Sequence, residues 1–153
     1  MSRRQTRPVA GSIAKARTGI EGLDEITGGG LPKGRPTLVS GAAGCGKTLL
    51  ALQFLVSGAT RFGEPGVFMA FEETGRELTE NARSLGFDLA RLERRKRLLI
   101  DYVRVERSEI DETGEYDLGG LFVRLGHAIA RVLRCATEDV STMKLGVMRW
   151  RIA

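Results

Sequence analysis

The chain has 153 residues, 42% of them apolar and 28% charged, with a formal net charge of +5. That length suits one domain with its own core, and no apolar run approaches the ~20 residues of a bilayer-spanning helix. Cys45 and Cys135 have neither metal-ligand spacing nor the density of a disulfide scaffold, so a zinc site is not expected and a cytoplasmic location is.

Residues 1–17, "MSRRQTRPVAGSIAKAR", are basic and lack hydrophobic periodicity. No apolar segment follows them as it would in a secretory leader, so they read as a flexible arm. Ile20, Leu23 and Ile26 at helical spacing predict a short helix. Gly28, Gly29 and Gly30 stop it, and Pro32 and Gly34 make a turn. Thr37–Ser40, "TLVS", reads as a short buried strand. A helix is expected from Lys47 to about Ala59, with Leu49, Leu52, Phe54, Leu55 and Val56 on a broad apolar face.

The apolar run 67–71 predicts a strand buried on both faces. Leu78, Ala82 and Leu85 mark the next helix, with Gly86 as its stop. Asp88 caps another that runs to about Arg97. Leu98–Val103 reads as a third strand, and Ser108–Asp117 as a polar loop. Leu118, Leu121, Phe122, Leu125, Ile129 and Val132 form one helical stripe. From Leu133 onward the tail offers no continuous apolar run for a fourth strand. Strands alternating with helices argue for an α/β fold with a parallel, doubly wound sheet and helices on both faces.

Gly41-Ala42-Ala43-Gly44-Cys45-Gly46-Lys47-Thr48 matches G-x-x-x-x-G-K-[ST] at every fixed position,. The glycines let successive amides turn inward into an anion-binding nest, and the helix that starts at Lys47 adds its unpaired amides and dipole. Lys47 supplies a cation for the outer phosphates, and Thr48 offers a hydroxyl to Mg²⁺. Cys45 fills a variable position as a small residue. ATP and Mg²⁺ are the expected ligands, held by Gly41, Gly44, Cys45, Gly46, Lys47, Thr48 and Leu49.

Glu72 and Glu73 end the second predicted strand. In parallel sheets ligands gather at the carboxyl ends of strands, so the pair is placed either to activate water and support the metal shell or simply to favour a helix N-terminus. Spacing alone leaves both open. The basic run Arg91–Arg97, "RLERRKR", reads as a solvated helix face, with an acidic or nucleic-acid partner as the alternative. The absence of interleaved aromatics argues against nucleic acid.

From Thr18 to Val132 the sequence closely resembles the KaiC circadian-clock family, specifically its first ATPase domain, within the RecA-like P-loop superfamily. The "GGGLPKG" entry, the phosphate loop, "FEE" and "NARSLGFDL" carry the resemblance. It implies that Glu72 and Glu73, with Lys47, are catalytic and that Ser84 contacts the nucleotide. It also implies hexameric rings with ATP between subunits, clock or signalling partners, and ATP hydrolysis, with serine/threonine autophosphorylation in a second domain.

After the predicted helix at 118–132 the resemblance fails. The family continues with a buried strand ending in the Walker B aspartate, whereas this chain reads "LRCATEDVSTMKLGVMRWRIA". The expected organisation is therefore an arm at 1–17, the N-terminal portion of a KaiC-like ATPase domain at 18–133, and a tail of uncertain origin at 134–153, as in a truncated or frame-shifted copy or, alternatively, a divergent small protein with a repurposed C-terminus. An incomplete sheet with an open apolar edge, poor solubility and negligible turnover would follow. A RecA-like DNA-handling ATPase and a catalytically inactive nucleotide-binding or interaction remnant are the alternative functions.

Overall fold

The computed structural model describes residues 13–71, 74–103, 118–133 and 144–147. Its elements in chain order are β1 (Lys15–Ala16), α1 (Glu21–Ile26), β2 (Leu31–Pro32), α2 (Lys47–Ser57), one π-helical turn (Gly58–Phe62), β3 (Gly66–Ala70), α3 (Gly75–Ser84), α4 (Leu89–Arg94), β4 (Leu98–Tyr102), α5 (Leu118–Leu133) and β5 (Lys144–Val147).

β3 is central. It pairs in parallel with β4 on one side, Gly66 opposite Leu98, and with β5 on the other, Gly66 opposite Lys144. Its residues are all buried, and alternation divides them between two cores. Phe68 and Ala70 face α2, α3 and α4, packing with Leu52, Leu55, Leu78, Ala82, Leu89 and Leu92. Val67 and Met69 face the opposite way, onto Ala128 and Val132 of α5. The sheet therefore carries helices on both faces, the α/β architecture expected of a RecA-like P-loop ATPase domain. The topology has a simple logic. Crossovers between parallel strands are right-handed, so a chain that steps from β3 to β4 over one face must use the other face to step back past β3 to β5.

Local signals explain the helix ends. Thr74 and Glu77 form a capping box at α3, with Thr74 Oγ1 donating to Glu77 Oε2 at 2.7 Å,. Asp88 caps α4 by accepting from the Arg91 amide at 2.9 Å. At the N-terminal end, Asp24 accepts from the Thr18 amide and hydroxyl, each at 2.7 Å, and from the Gly19 amide at 3.0 Å. This ties α1 to the chain before it. The β1–β2 ribbon crosses so closely at Gly30, where φ is 121°, that a Cβ there would strike the Ala16 carbonyl.

Two sequence-based expectations fail. Thr37–Ser40 is not a strand: the segment is unpaired and exposed, with Leu38 at 91%. The tail does supply a strand, β5, which completes a three-stranded parallel sheet although its apolar run is short. Both edges of β3 are taken, by β4 and β5, so no position beside β3 remains for Thr37–Ser40. The open edge is an expectation for Thr37–Ser40 as a central strand, and among the described residues that segment is not a strand. Smaller departures follow the same burial logic. α2 ends at Ser57 rather than Ala59. Leu85 is 52% exposed as the C-cap of α3, and Phe122 is 63% exposed on α5 instead of joining its buried stripe.

Candidate nucleotide site

The phosphate loop leads directly into α2. Gly46, the residue before the helix, has φ +87°, and Gly44 has φ +76°. Side chains disfavour that left-handed region, so glycine is required at both turns. The loop is exposed along Gly41–Gly46. Gly41 and Cys45 close on each other: a Cβ on Gly41 would collide with Cys45 Sγ. Fixed glycines thus hold the amides in a tight curve ahead of the helix N-terminus, the arrangement that cradles phosphate oxygens.

Lys47 Nζ bends back across this curve. It donates to the Gly41 carbonyl at 2.8 Å and the Ala42 carbonyl at 2.7 Å, and lies 3.5 Å from Cys45 Sγ. The one cation of the loop therefore rests on the loop's own acceptors.

Beside the loop runs a groove of about 270 Å³, lined by Gly44, Gly46, Lys47, Thr48, Leu49, Leu52, Leu78, Asn81 and Leu85. It joins the loop to α3, the helix that leaves the carboxyl end of β3. Leu78, Asn81 and Leu85 reach it because they sit three and four residues apart on one helical face. Asn81 was missed from the sequence, where Leu78, Ala82 and Leu85 drew attention to the buried side. The signal was a lone amide at the edge of that stripe. Leu49, expected in the apolar face of α2, instead borders the groove half exposed.

Ser84 does not line the groove. Its Oγ donates to the Asn81 carbonyl at 2.7 Å, closing the last turn of α3. Glu72 and Glu73 lie outside the described residues. Their flanks are fixed by Ala70, whose carbonyl accepts from the Val103 amide at 2.8 Å, and by the Thr74 cap. The structure therefore brings together Gly44, Gly46, Lys47, Thr48 and Leu49, and leaves Ser84 outside this group.

Other ordered groups stand at the carboxyl ends of the strands. Arg124 of α5 clamps Asp101 of β4 through Nε and Nη2, both at 2.6 Å, and Nη2 also donates to the Tyr102 carbonyl at 2.7 Å. Burial and the nearby Glu93 push the Tyr102 hydroxyl above its ordinary value, against a hydrogen bond with Thr79. The Thr74 hydroxyl and amide hold Glu77 below the usual carboxylate value, against a smaller opposing effect of desolvation. Among the described residues no cluster of three or more His, Cys, Asp or Glu could hold a metal ion, and no helix is long and apolar enough to cross a membrane.

A model of the family described as "ATPase: KaiC" matches residues 16–143. The chain is 57% identical over 121 residues to "Circadian clock protein KaiC2" of Synechocystis sp., covering 79% of this chain and 21% of that protein. It is 46% identical over 134 residues to "Circadian clock oscillator protein KaiC" of Synechococcus elongatus, covering 86% and 26%. Against the protein of the same name from Parathermosynechococcus lividus it is 45% identical over 119 residues, covering 78% and 22%. The chain thus spans 21–26% of the length of these relatives.

Proposed function

Because this chain belongs to the KaiC family of ATPases, we propose that it binds ATP with Mg²⁺ at Gly41–Thr48 and acts as a phosphoryl-transfer domain that hydrolyses ATP. The observation that carries this reading is the curve held by Gly44 and Gly46 directly ahead of α2, with Lys47 Nζ lying across it. The loop amides bind the inner phosphates. Lys47 exchanges the Gly41 and Ala42 carbonyls for the outer phosphate oxygens, which bear full charge and are stronger acceptors. The Thr48 hydroxyl would help hold Mg²⁺, which would supply neutralising charge for phosphoryl transfer when bound. Leu49, Leu78 and Leu85 offer an apolar wall for the base, with Asn81 able to donate and accept along its edge.

Glu72 and Glu73 are assigned as the carboxylates that orient and deprotonate the attacking water, and Ser84 as a nucleotide contact, as the family resemblance implies. The ATPase portion spans 18–133 behind the basic arm 1–17. Assembly into a hexameric ring, partners among clock or signalling proteins, and a cytoplasmic location belong to the same proposal. Serine/threonine kinase activity is a further property of the family reading.

Titrating a fluorescent ATP analogue against the chain, followed by Mg²⁺-dependent phosphate release, tests the core of it. Binding that ignores Lys47→Ala would overturn the site. A second reading is a module that binds nucleotide without turnover. It is favoured by one observation: of the two strands beside β3, β5 reads Lys-Leu-Gly-Val and carries no carboxylate, and the Asp101 carboxylate of the other, β4, is clamped by Arg124. Tight binding with no phosphate release would select it.

A further inference from the structure

Two helices present unmatched charge of opposite sign at the amino end of the sheet. Arg97 marks that end: its carbonyl accepts from the Gly66 amide at 3.0 Å, and its guanidinium donates to the Gly63 carbonyl at 3.3 Å. Just before it, Arg91, Arg94, Arg95 and Lys96 are all exposed. Arg91 stands three and four residues from Arg94 and Arg95, so the three share one side of α4, away from the buried Leu89 and Leu92,. α1 is the converse. It contains no basic residue, and Glu21 and Glu25 are exposed four residues apart, beside Ile26 at 84% exposure. Among the described residues none of these four cations has an ion-pair partner, and neither carboxylate has one. The nucleotide reading uses none of them.

Lys96 is held against its own backbone preference. α4 closes with the Arg97 amide donating to the Leu92 carbonyl and the Lys96 amide to the Glu93 carbonyl, each at 2.9 Å. That double closure needs a left-handed residue, for which glycine is the usual choice. α3 closes in the same way and uses Gly86, at φ +83°. α4 instead places a lysine there, at φ +56°, where a Cβ is disfavoured. Strain kept for the sake of an exposed charge points to a use for that charge.

The two helices stand on different sides of β3. α4 packs against β4, whereas α2 packs against β3 and β5. α1 is tied to the end of α2: Arg61, in the π-helical turn, donates to the Gly19 carbonyl at 3.1 Å, and a Cβ on Gly19 would strike Ser57. A two-fold axis through the amino end of β3 exchanges these sides and lays α4 of each copy on α1 of the other.

We propose that two copies of this chain pair about that axis, with Arg91, Arg94, Arg95 and Lys96 of each docked on Glu21 and Glu25 of the other. Glu21/Glu25 and Arg91/Arg95 share a four-residue spacing of about 6 Å, so two ion pairs form at each contact, and arginine's planar fork suits a carboxylate. The apolar stems of the arginines cover Ile26. A two-fold interface makes the contact twice. The phosphate loop stands at the other end of α2, so this pairing needs no nucleotide and goes beyond the ring of the functional reading.

Sedimentation velocity on the full 153-residue chain without nucleotide tests it. A discrete dimer is expected at about 50 mM salt, with an affinity at least about tenfold weaker at about 500 mM. Arg91→Glu/Arg95→Glu alone, or Glu21→Lys/Glu25→Lys alone, should leave monomer. Mixing the two variants should restore the dimer. So should all four changes in one chain, which also separates loss of contact from loss of folding. At high salt, where both proteins are monomers, Lys96→Gly should melt above the parent, and at low salt it should dimerise several-fold more weakly. A parent that stays monomeric would overturn the proposal, as would association that ignores either reversal or a ladder of species larger than the dimer. Failure of the four-change chain to pair would overturn it too. Duplex DNA bound through the four cations by a chain that remains monomeric would assign them to phosphates instead.

Discussion

Lys47 Nζ sits 2.8 Å from the carbonyl oxygen of Gly41, the residue that opens its own loop. The ammonium is thus already hydrogen-bonded to carbonyl dipoles before a nucleotide arrives, and binding is an exchange of partners. Replacing Lys47 with Ala removes a charge-assisted contact worth ~1.5–3 kcal/mol. ATP affinity should fall about 10- to 150-fold. Titration of a fluorescent ATP analogue measures this, and equal affinities would show that the loop is not the site.

Glu72→Gln and Glu73→Gln should separate binding from chemistry. Glutamine preserves shape but neither takes a proton nor carries charge. Nucleotide affinity should stay within about threefold while Mg²⁺-dependent phosphate release is lost. Parent-rate release from both variants would make the carboxylates spectators.

Asp24 predicts an acid sensitivity. Burial pushes its carboxyl up, but the Thr18 hydroxyl, the Thr18 and Gly19 amides and the Arg17 charge outweigh that and hold it below its ordinary value of 3.8. A group depressed in the folded state contributes stability that is complete above its unfolded value and is lost as pH falls through the folded one. Urea midpoints should therefore decline as the pH drops below about 4. Asp24→Asn should be less stable at neutral pH and flatter across that window. Parallel curves for the two proteins would remove Asp24 from the account.

The clamp between Arg124 and Asp101 is bidentate, but the arginine side chain is about half exposed. Solvent screening limits such a pair, so Arg124→Ala should cost only ~1 kcal/mol, read as a shift in urea midpoint. Arg124→Lys should recover little, because an ammonium cannot span both carboxylate oxygens. Full recovery by lysine would mean that charge alone matters.

Gly30→Ala should be the most damaging of these changes. The new methyl group meets backbone rather than a movable side chain, and φ is 121°. The β1–β2 ribbon must open to admit it, at a cost of ~3 kcal/mol or more. A thermal midpoint within a degree of the parent's would refute the close crossing.

Much of the fold was legible because single features sufficed. The apolar run at 67–71 meant burial on both faces, and Asp88 and Gly86 each mark a helix boundary by their own chemistry. The family, too, was readable from motifs that are contiguous in sequence. Thr37–Ser40 places Leu38 and Val39 together, yet it lies exposed, because a place beside β3 depends on distant segments that no local pattern records. Lys144–Val147 wins that place with four residues, one of them glycine. At the site, the glycine turns could be anticipated from the loop motif. The recruitment of Asn81 and the retraction of Lys47 onto Gly41 and Ala42 depend on packing and loop closure that spacing does not encode. Glu72 and Glu73 lie outside the described residues, so their catalytic role still rests on the resemblance.

The sheet order also sets a timetable for biosynthesis. β3 and β4 leave the ribosome well before Lys144–Val147, and at 5–20 residues per second the interval is about 2–9 s. Throughout it the side of β3 that β5 covers in the finished fold has not yet received that strand, so the β3–β5 pairing is the last of the described sheet to become possible.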